Sequence, residues 1–160
     1  MTVAFEIFGV QAAEMLSQIH GRSFQDQRWS AGEIAALLQG PGVCAMVVSD
    51  SGQPTGFLLW RQVCDEVEIL TICILPGYRA RGMASQLLRE FYGKIKGGKR
   101  ILLEVNENNA AAIILYEKNG FETVGRRKDY YGGQGGRKQD ALILCKKIGI
   151  ERHRVYSHSK

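Results

Sequence analysis

Hydrophobic positions along the chain change period several times, and each change predicts an element. Val3, Phe5 and Ile7 alternate with polar or small residues, which predicts a first strand. Ala12, Met15, Leu16 and Ile19 recur at helical spacing, and residues 21–28 are expected to interrupt that helix. Ser30 is suited to cap a second helix bearing Ile34, Leu37 and Leu38, which Gly40-Pro41-Gly42 ends. Strands over 43–48 and 56–62 are expected to form a hairpin through residues 49–54. The apolar run within 65–75 reads as a buried central strand, closed by Pro76-Gly77. Ala84, Leu87, Leu88, Phe91 and Ile95 then recur at i, i+3, i+4, i+7 and i+11, the stripe of a helix packed on a core. A strand over 101–105, a helix, a strand over 123–128, a Gly-rich loop and a strand over 141–146 complete the series. Antiparallel strands followed by a βαβ crossover make an α/β fold: a mixed, twisted sheet of about seven strands with helices on both faces.

Composition narrows the class. At 160 residues, with 45% hydrophobic and 23% charged residues, the chain is expected to form one globular domain over residues 1–148, with a basic, flexible tail over 149–160. No apolar run is long enough for a membrane span and the first residues carry no signal-like pattern, so the expected location is the cytoplasm. Cys44, Cys64, Cys73 and Cys145 are widely spaced and lack histidines at ligand spacing, so they read as reduced core cysteines, and no metal is expected. The net charge of +5 is uneven: residues 126–160 hold 10 Lys/Arg and 3 Asp/Glu. That basic stretch suits RNA or the ribosome, or serves solubility and attraction of a phosphorylated cofactor.

The segment Arg79-Ala80-Arg81-Gly82-Met83-Ala84 lies between the central strand and the helix that follows it. A strand feeding a loop that opens a helix presents free backbone N–H groups and the positive end of the helix dipole, a site for phosphate or pyrophosphate. Gly82 permits close backbone approach, and Arg79 and Arg81 add positive charge. No Lys-Ser/Thr pair follows the glycine and only one glycine falls in the hexad, which disfavours the two common nucleotide-binding loops. The hexad resembles the [Q/R]-x-x-G-x-[G/A] signature of the GNAT acetyltransferase superfamily, whose loop binds the pyrophosphate of acetyl-CoA.

A second segment is more specific. Leu103-Glu104-Val105 leads through Asn109 into Ala110-Ala111-Ala112-Ile113-Ile114-Leu115-Tyr116-Glu117, then Lys118-Asn119-Gly120-Phe121. Asn109 suits the N-cap of this alanine-rich helix, and Gly120 suits the left-handed residue after its end, with Phe121 folding back. With Arg126-Arg127 and Asp129-Tyr130-Tyr131 downstream, the string resembles the RimI branch of the superfamily, whose members acetylate the N-terminal alanine of a small-subunit ribosomal protein. The resemblance runs over about 24–147 and implies direct transfer from acetyl-CoA in a ternary complex with a protein N-terminus.

Acetyl transfer requires a neutral amine, donors for the tetrahedral oxyanion and a proton for the departing thiolate. An α-amine, with an ordinary pKa of about 8 against about 10.4 for lysine, needs less help at neutral pH. Glu104 stands alone in an apolar strand, where a carboxylate is either a base whose pKa burial would raise or a structural group at the strand's exposed end. The resemblance implies the base. It also implies that Tyr116 protonates the leaving thiolate, where the residue alone reads as core packing, and that Asn109 touches the cofactor besides capping its helix. By the same resemblance the strand at 69–75 splays from its neighbour, and Ile72, Cys73 and Ile74 contact the cofactor together with the hexad. Trp29, in the segment 24–30, is implied on the peptide side. Tyr130 and Tyr131 lead into the Gly-rich 132–136, expected to be a mobile loop over the acceptor. Asp65, Glu66 and Glu68 form an acidic group that either attracts an amine or is a solvated edge.

Three functions remain open on these grounds. One is an N-terminal protein acetyltransferase, another a GNAT enzyme acting on lysine or a small-molecule amine, and the third a catalytically silent CoA-binding module.

Overall fold

The computed structural model of the chain describes residues 1–132 and 134–149. Gly133, within the expected mobile loop, and 150–160, almost all of the expected tail, lie outside them. The elements are β1 (Val3–Phe8), α1 (Ala13–Ser23), α2 (Ala31–Leu38), β2 (Val43–Asp50), β3 (Gln53–Val63), β4 (Glu66–Ile74), α3 (Met83–Tyr92), β5 (Arg100–Asn106), α4 (Ala110–Lys118), β6 (Glu122–Gly132) and β7 (Lys138–Lys147). They build one seven-stranded sheet in the order β1-β2-β3-β4-β5-β7-β6. Only β4 and β5 run parallel, so the sheet is mixed, as the pattern predicted.

Side-chain alternation sorts the core into two layers. Met46, Val48, Leu58, Trp60, Ile101, Leu103 and Val105 pack against Leu87, Leu88 and Phe91 of α3 and Tyr116 of α4. On the opposite face Ala45, Val47, Phe57 and Leu59 pack against Leu16 and Ile19 of α1 and Ile34 of α2. Each such fully buried Leu, Ile or Phe contributes about 1.5–3 kcal/mol of transfer free energy. The β2–β3 hairpin is tighter than the sequence suggests. Only Ser51 and Gly52, both at positive φ, separate Asp50 from its partner Gln53, the backbone of a twist-compatible two-residue turn.

Four boundaries differ from expectation for identifiable reasons. Helix α1 continues through Gly21 to Ser23; a side chain at Gly21 would meet the Arg28 Cδ at 2.6 Å, so this glycine makes room for Arg28 instead of ending the helix. Helix α3 stops at Tyr92, and Ile95 packs on the core from the following loop. Strand β6 continues through Tyr130 and Tyr131, with an irregularity between Arg127 and Tyr131 where Asp129 has φ +57°. Finally, β4 changes phase. Val67 and Ile69 face the α3 layer, yet beyond Leu70 it is Ile72 and Ile74 that do so, while Cys73 turns to the α1 layer. The shift in register at Leu59/Trp60 of β3 marks a β-bulge with Leu70 as the extra residue.

The bulge precedes the feature that positions the site. Strands β4 and β5 pair only over Glu66–Glu68 and Arg100–Leu102, and then separate. β5 keeps its antiparallel partner β7 from Arg100 to Asn106. The main-chain edges of β4 after Glu68 and of β5 after Leu102 therefore face each other across an open fork.

Candidate active site

One side of the fork is made by backbone. Ala80 and Gly82 adopt positive φ, +59° and +76°, and curl the segment before α3. Among the described residues the amides of Arg81, Gly82, Met83 and Ala84 donate to no protein acceptor, so they and the positive end of α3 form an anion cradle. A Cβ at Gly82 would touch nothing closer than Gln86 Nε2 at 3.9 Å, so glycine is required by its φ and by the room it leaves for a ligand. Met83 and Ala84 turn their side chains into the protein; Met83 is sealed in the core, with its sulfur 3.6 Å from the Thr55 hydroxyl.

The two arginines differ. Arg81 stays exposed, its guanidinium 5.2 Å from the Tyr78 ring, and supplies charge at the cradle. Arg79 turns away: Nε donates to the Ile74 carbonyl at 2.9 Å and a terminal nitrogen to the Ser23 carbonyl at 3.1 Å. The positive charge expected at the phosphates from its side chain is thus spent on two carbonyls.

Along β4, Ile72 and Ile74 approach the α3 layer and Cys73 is buried, its thiol pushed up to about 12 by loss of solvent. That thiol is no nucleophile at neutral pH. This segment pairs with β3 on one edge; its other edge, turned towards β5, has no strand partner among the described residues and offers main-chain donors of the kind an acetyl carbonyl needs.

Tyr116 stands in the last turn of α4. The Phe121 amide donates to the Tyr116 carbonyl and the Gly120 amide to Glu117, with Gly120 at φ +87°, which is the Schellman ending expected from Gly120-Phe121. The Phe121 ring packs edge-on against Tyr116 at 5.5 Å. The Tyr116 ring is buried, and its hydroxyl hydrogen-bonds to no described residue without being a sealed-off polar atom. Burial raises this phenol's pKa and keeps it protonated. At the other end of α4, Asn109 caps as expected, accepting from the Ala112 amide at 3.2 Å.

The other side of the fork is made by side chains. Glu104 lies on the β5 face opposite to Leu103 and Val105, is 28% exposed, and takes Arg127 Nη1 at 2.7 Å across the intervening β7. It is neither deeply buried nor unpaired, as a lone carboxylate in an apolar strand suggested. The Arg127 guanidinium also lies 4.2 Å from the Tyr130 ring, and Tyr130 meets Tyr131 edge-on at 5.0 Å. Burial pushes the Tyr131 phenol up, with Tyr130 and the Glu104 carboxylate adding to it and the Arg127 cation opposing it.

Glu104 opens onto a cleft of about 520 Å³ whose walls include Leu37, Arg61, Glu68, Leu102 and Ile143. Ala36 and Leu37 of α2 also border a shallow depression under Trp29, which joins that residue to the same side of the sheet. Trp29 is fixed from three directions. Its ring stacks on His20 at 4.7 Å, its amide donates to His20 Nδ1 at 3.2 Å, and its carbonyl accepts from the Ser17 hydroxyl at 2.8 Å. Burial lowers His20 from its usual 6.5 to about 4, so the ring is neutral and can accept. Asp65, Glu66 and Glu68 are each neutralised by a cation, Lys99, Arg100 and Arg61 respectively, and form a solvated edge. Among the described residues no cluster of His, Cys, Asp and Glu is arranged to hold a metal, and no helix is long and apolar enough to cross a membrane.

Sequence reasoning did not foresee Arg127 as the partner of Glu104, nor His20 as the support of Trp29. Both pairings join separate elements, and neither leaves a local spacing signal.

Comparison with known proteins agrees with this geometry. The model of the acetyltransferase (GNAT) domain matches residues 41–123, just over half of the chain. A ribosomal protein bS18-alanine N-acetyltransferase of Haemophilus influenzae is 36% identical over 119 residues, 73% of this chain and 80% of the relative. The Escherichia coli protein of the same name is 32% identical over 124 residues, 76% of this chain and 82% of its own. The crystal structure of the ribosomal-protein-S18-alanine N-acetyltransferase from Escherichia coli superimposes with a TM-score of 0.87 at 26% identity, covering 97% of this chain and 99% of that one. The chain thus belongs to the GNAT family and is an N-acetyltransferase that takes its acetyl group from acetyl-CoA.

Proposed function

We propose that the chain acetylates the α-amine of a protein N-terminus, and that its acceptor is the N-terminal alanine of ribosomal protein bS18. The observation that carries this reading is the fork between β4 and β5, which has an amide cradle on one side and the Glu104 cleft on the other. Relatives that share most of the chain are named for that acceptor. Residues 1–148 act as one catalytic domain, working in the cytoplasm where ribosomal proteins are made.

In this reading the pyrophosphate of acetyl-CoA rests on the amides from Arg81 to Ala84, beside the Arg81 charge, with Asn109 alongside. The thioester lies against Ile72, Cys73 and Ile74. The peptide terminus arrives from the Trp29, Tyr130 and Tyr131 side and stops at Glu104. Glu104 takes a proton from the ammonium, directly or through water, and the freed lone pair attacks the thioester carbonyl. Main-chain N–H groups of β4 hold the oxyanion. When the C–S bond breaks, Tyr116 gives its proton to the thiolate, and the extra proton left on the acceptor nitrogen after attack returns to the phenolate, leaving CoA, the neutral amide and a restored Tyr116. The ammonium shares the Glu104 carboxylate with Arg127 as it arrives, which favours a terminus that is already largely neutral. Ribosome or RNA contact through the basic stretch from Arg126 onward draws on residues other than its first two, since Arg126 pairs with Glu107 and Asp140 and Arg127 with Glu104.

The test uses two matched peptides with acetyl-CoA, one with a free N-terminal alanine and no lysine, the other with a blocked terminus and one lysine. Acetylation of the first alone is expected. Lysine-only turnover moves the chain to another acceptor class, and CoA binding without product overturns the catalytic reading.

A further inference from the structure

We propose that Arg79 is a positioning residue that couples the acetyl-CoA loop to the acceptor side of the site. Its guanidinium bridges the carbonyl of Ile74, at the end of β4, and the carbonyl of Ser23, at the end of α1. The Ser23 carbonyl is one of the last four of its helix and has no intrahelical donor, and a cation there also opposes the negative end of the dipole. A planar fork reaches both carbonyls from one side chain, which an ammonium on a flexible stem does not reproduce.

The three connected points belong to different functions. Arg79 itself opens the loop of free amides. Ile74 ends the strand whose main chain borders the fork. Ser23 precedes the segment 24–30, whose Trp29 borders the proposed acceptor side, is hydrogen-bonded to α1 through His20 and Ser17, and packs against the layer that holds α2. Any movement of the loop upon pyrophosphate binding is therefore passed through one guanidinium to the stem of the Trp29 segment. The resemblance of the hexad suggested a phosphate ligand at this position; the hydrogen bonds assign the side chain to the protein instead.

The kinetic arm of the test rests on the proposed acetylation of an N-terminal alanine; the exchange arm does not. Arg79→Lys keeps the charge and loses the bridge, and Arg79→Met loses both. In both variants the KM for the alanine peptide is expected to rise about 10-fold, while the KM for acetyl-CoA moves less than about 3-fold. A phosphate ligand would behave otherwise. The KM for acetyl-CoA would then rise about 10-fold in Arg79→Met, that for acetyl-pantetheine would not move, and Arg79→Lys would retain most function; this pattern overturns the proposal. In parallel, hydrogen–deuterium exchange of residues 24–30 is followed with and without CoA. CoA is expected to slow exchange there in the native chain and not in Arg79→Lys. Exchange in the native chain that ignores CoA, or protection that survives in Arg79→Lys, overturns the coupling. If the native chain acetylates no α-amine, the proposed function fails, and the exchange arm still decides the role of Arg79.

Discussion

The two sides of the fork are built from different materials. On the side proposed for the cofactor the polar groups are main-chain amides, fixed by two left-handed residues and the start of α3. On the side proposed for the acceptor they are side chains: Glu104 and Arg127 across β7, Trp29 on His20, Tyr130 against Arg127. A backbone cradle suits a group common to every reaction of the family, because it asks only for φ, ψ and a missing Cβ. Side chains, by contrast, can change without disturbing the chain that carries them.

If that division is right, the cofactor side should fail all at once and the acceptor side by degrees. Gly82→Asp puts a Cβ at φ +76° and a negative charge among the amides, and calorimetry should show acetyl-CoA affinity reduced about 100-fold or more in a chain that still folds. Undiminished binding would remove the cradle from the site. Glu104→Gln should lower kcat about 100-fold at pH 7, with part of the loss recovered at higher pH as the amine deprotonates without help. A flat ratio across pH would take Glu104 out of proton transfer. Tyr116→Phe should reduce kcat about 10-fold with little change in acetyl-CoA affinity or melting temperature, since no described residue depends on that hydroxyl; a large drop in stability would make it a packing residue. The smallest effect concerns His20, neutral in the fold with its pKa at about 4. The unfolded chain binds the extra proton between about 6.5 and 4, so folding stability is fully present above that window and declines as pH falls through it. The decline is at most about 1.4 kcal/mol per pH unit for one proton. In His20→Gln denaturant unfolding should show a shallower slope over the same window, and an unchanged slope would mean that the proton is taken up elsewhere.

Legibility in the sequence follows the same division. The order of elements, the loop at Arg79-Ala80-Arg81-Gly82, the cap at Asn109 and the stop at Gly120-Phe121 are all local, and local spacing carries them. The β4 bulge is not, because the apolar run around Leu70 reads the same whichever face each residue takes; the phase is decided by what lies across on Leu59 and Trp60. Arg79 shows the limit most sharply. Its position in the hexad is visible, but its direction is set by Ser23, 56 residues earlier, whose carbonyl needs a donor. The pairing of Glu104 with Arg127 depends on β7 entering between β5 and β6, a fact of topology rather than of spacing.

The ending of α4 has a consequence for the chemistry. Tyr116 is the residue whose carbonyl receives the closing hydrogen bond from Phe121, and Phe121 packs back on its ring. The same few atoms that halt the helix therefore set the azimuth of the phenol. Were the helix to run on through Gly120, Phe121 would lie about 140° round the axis from Tyr116 and could not fold back on its ring. Gly120 thus acts as a detent for the phenol four positions away, the group proposed as proton donor: the address of the hydroxyl is written in a stop signal.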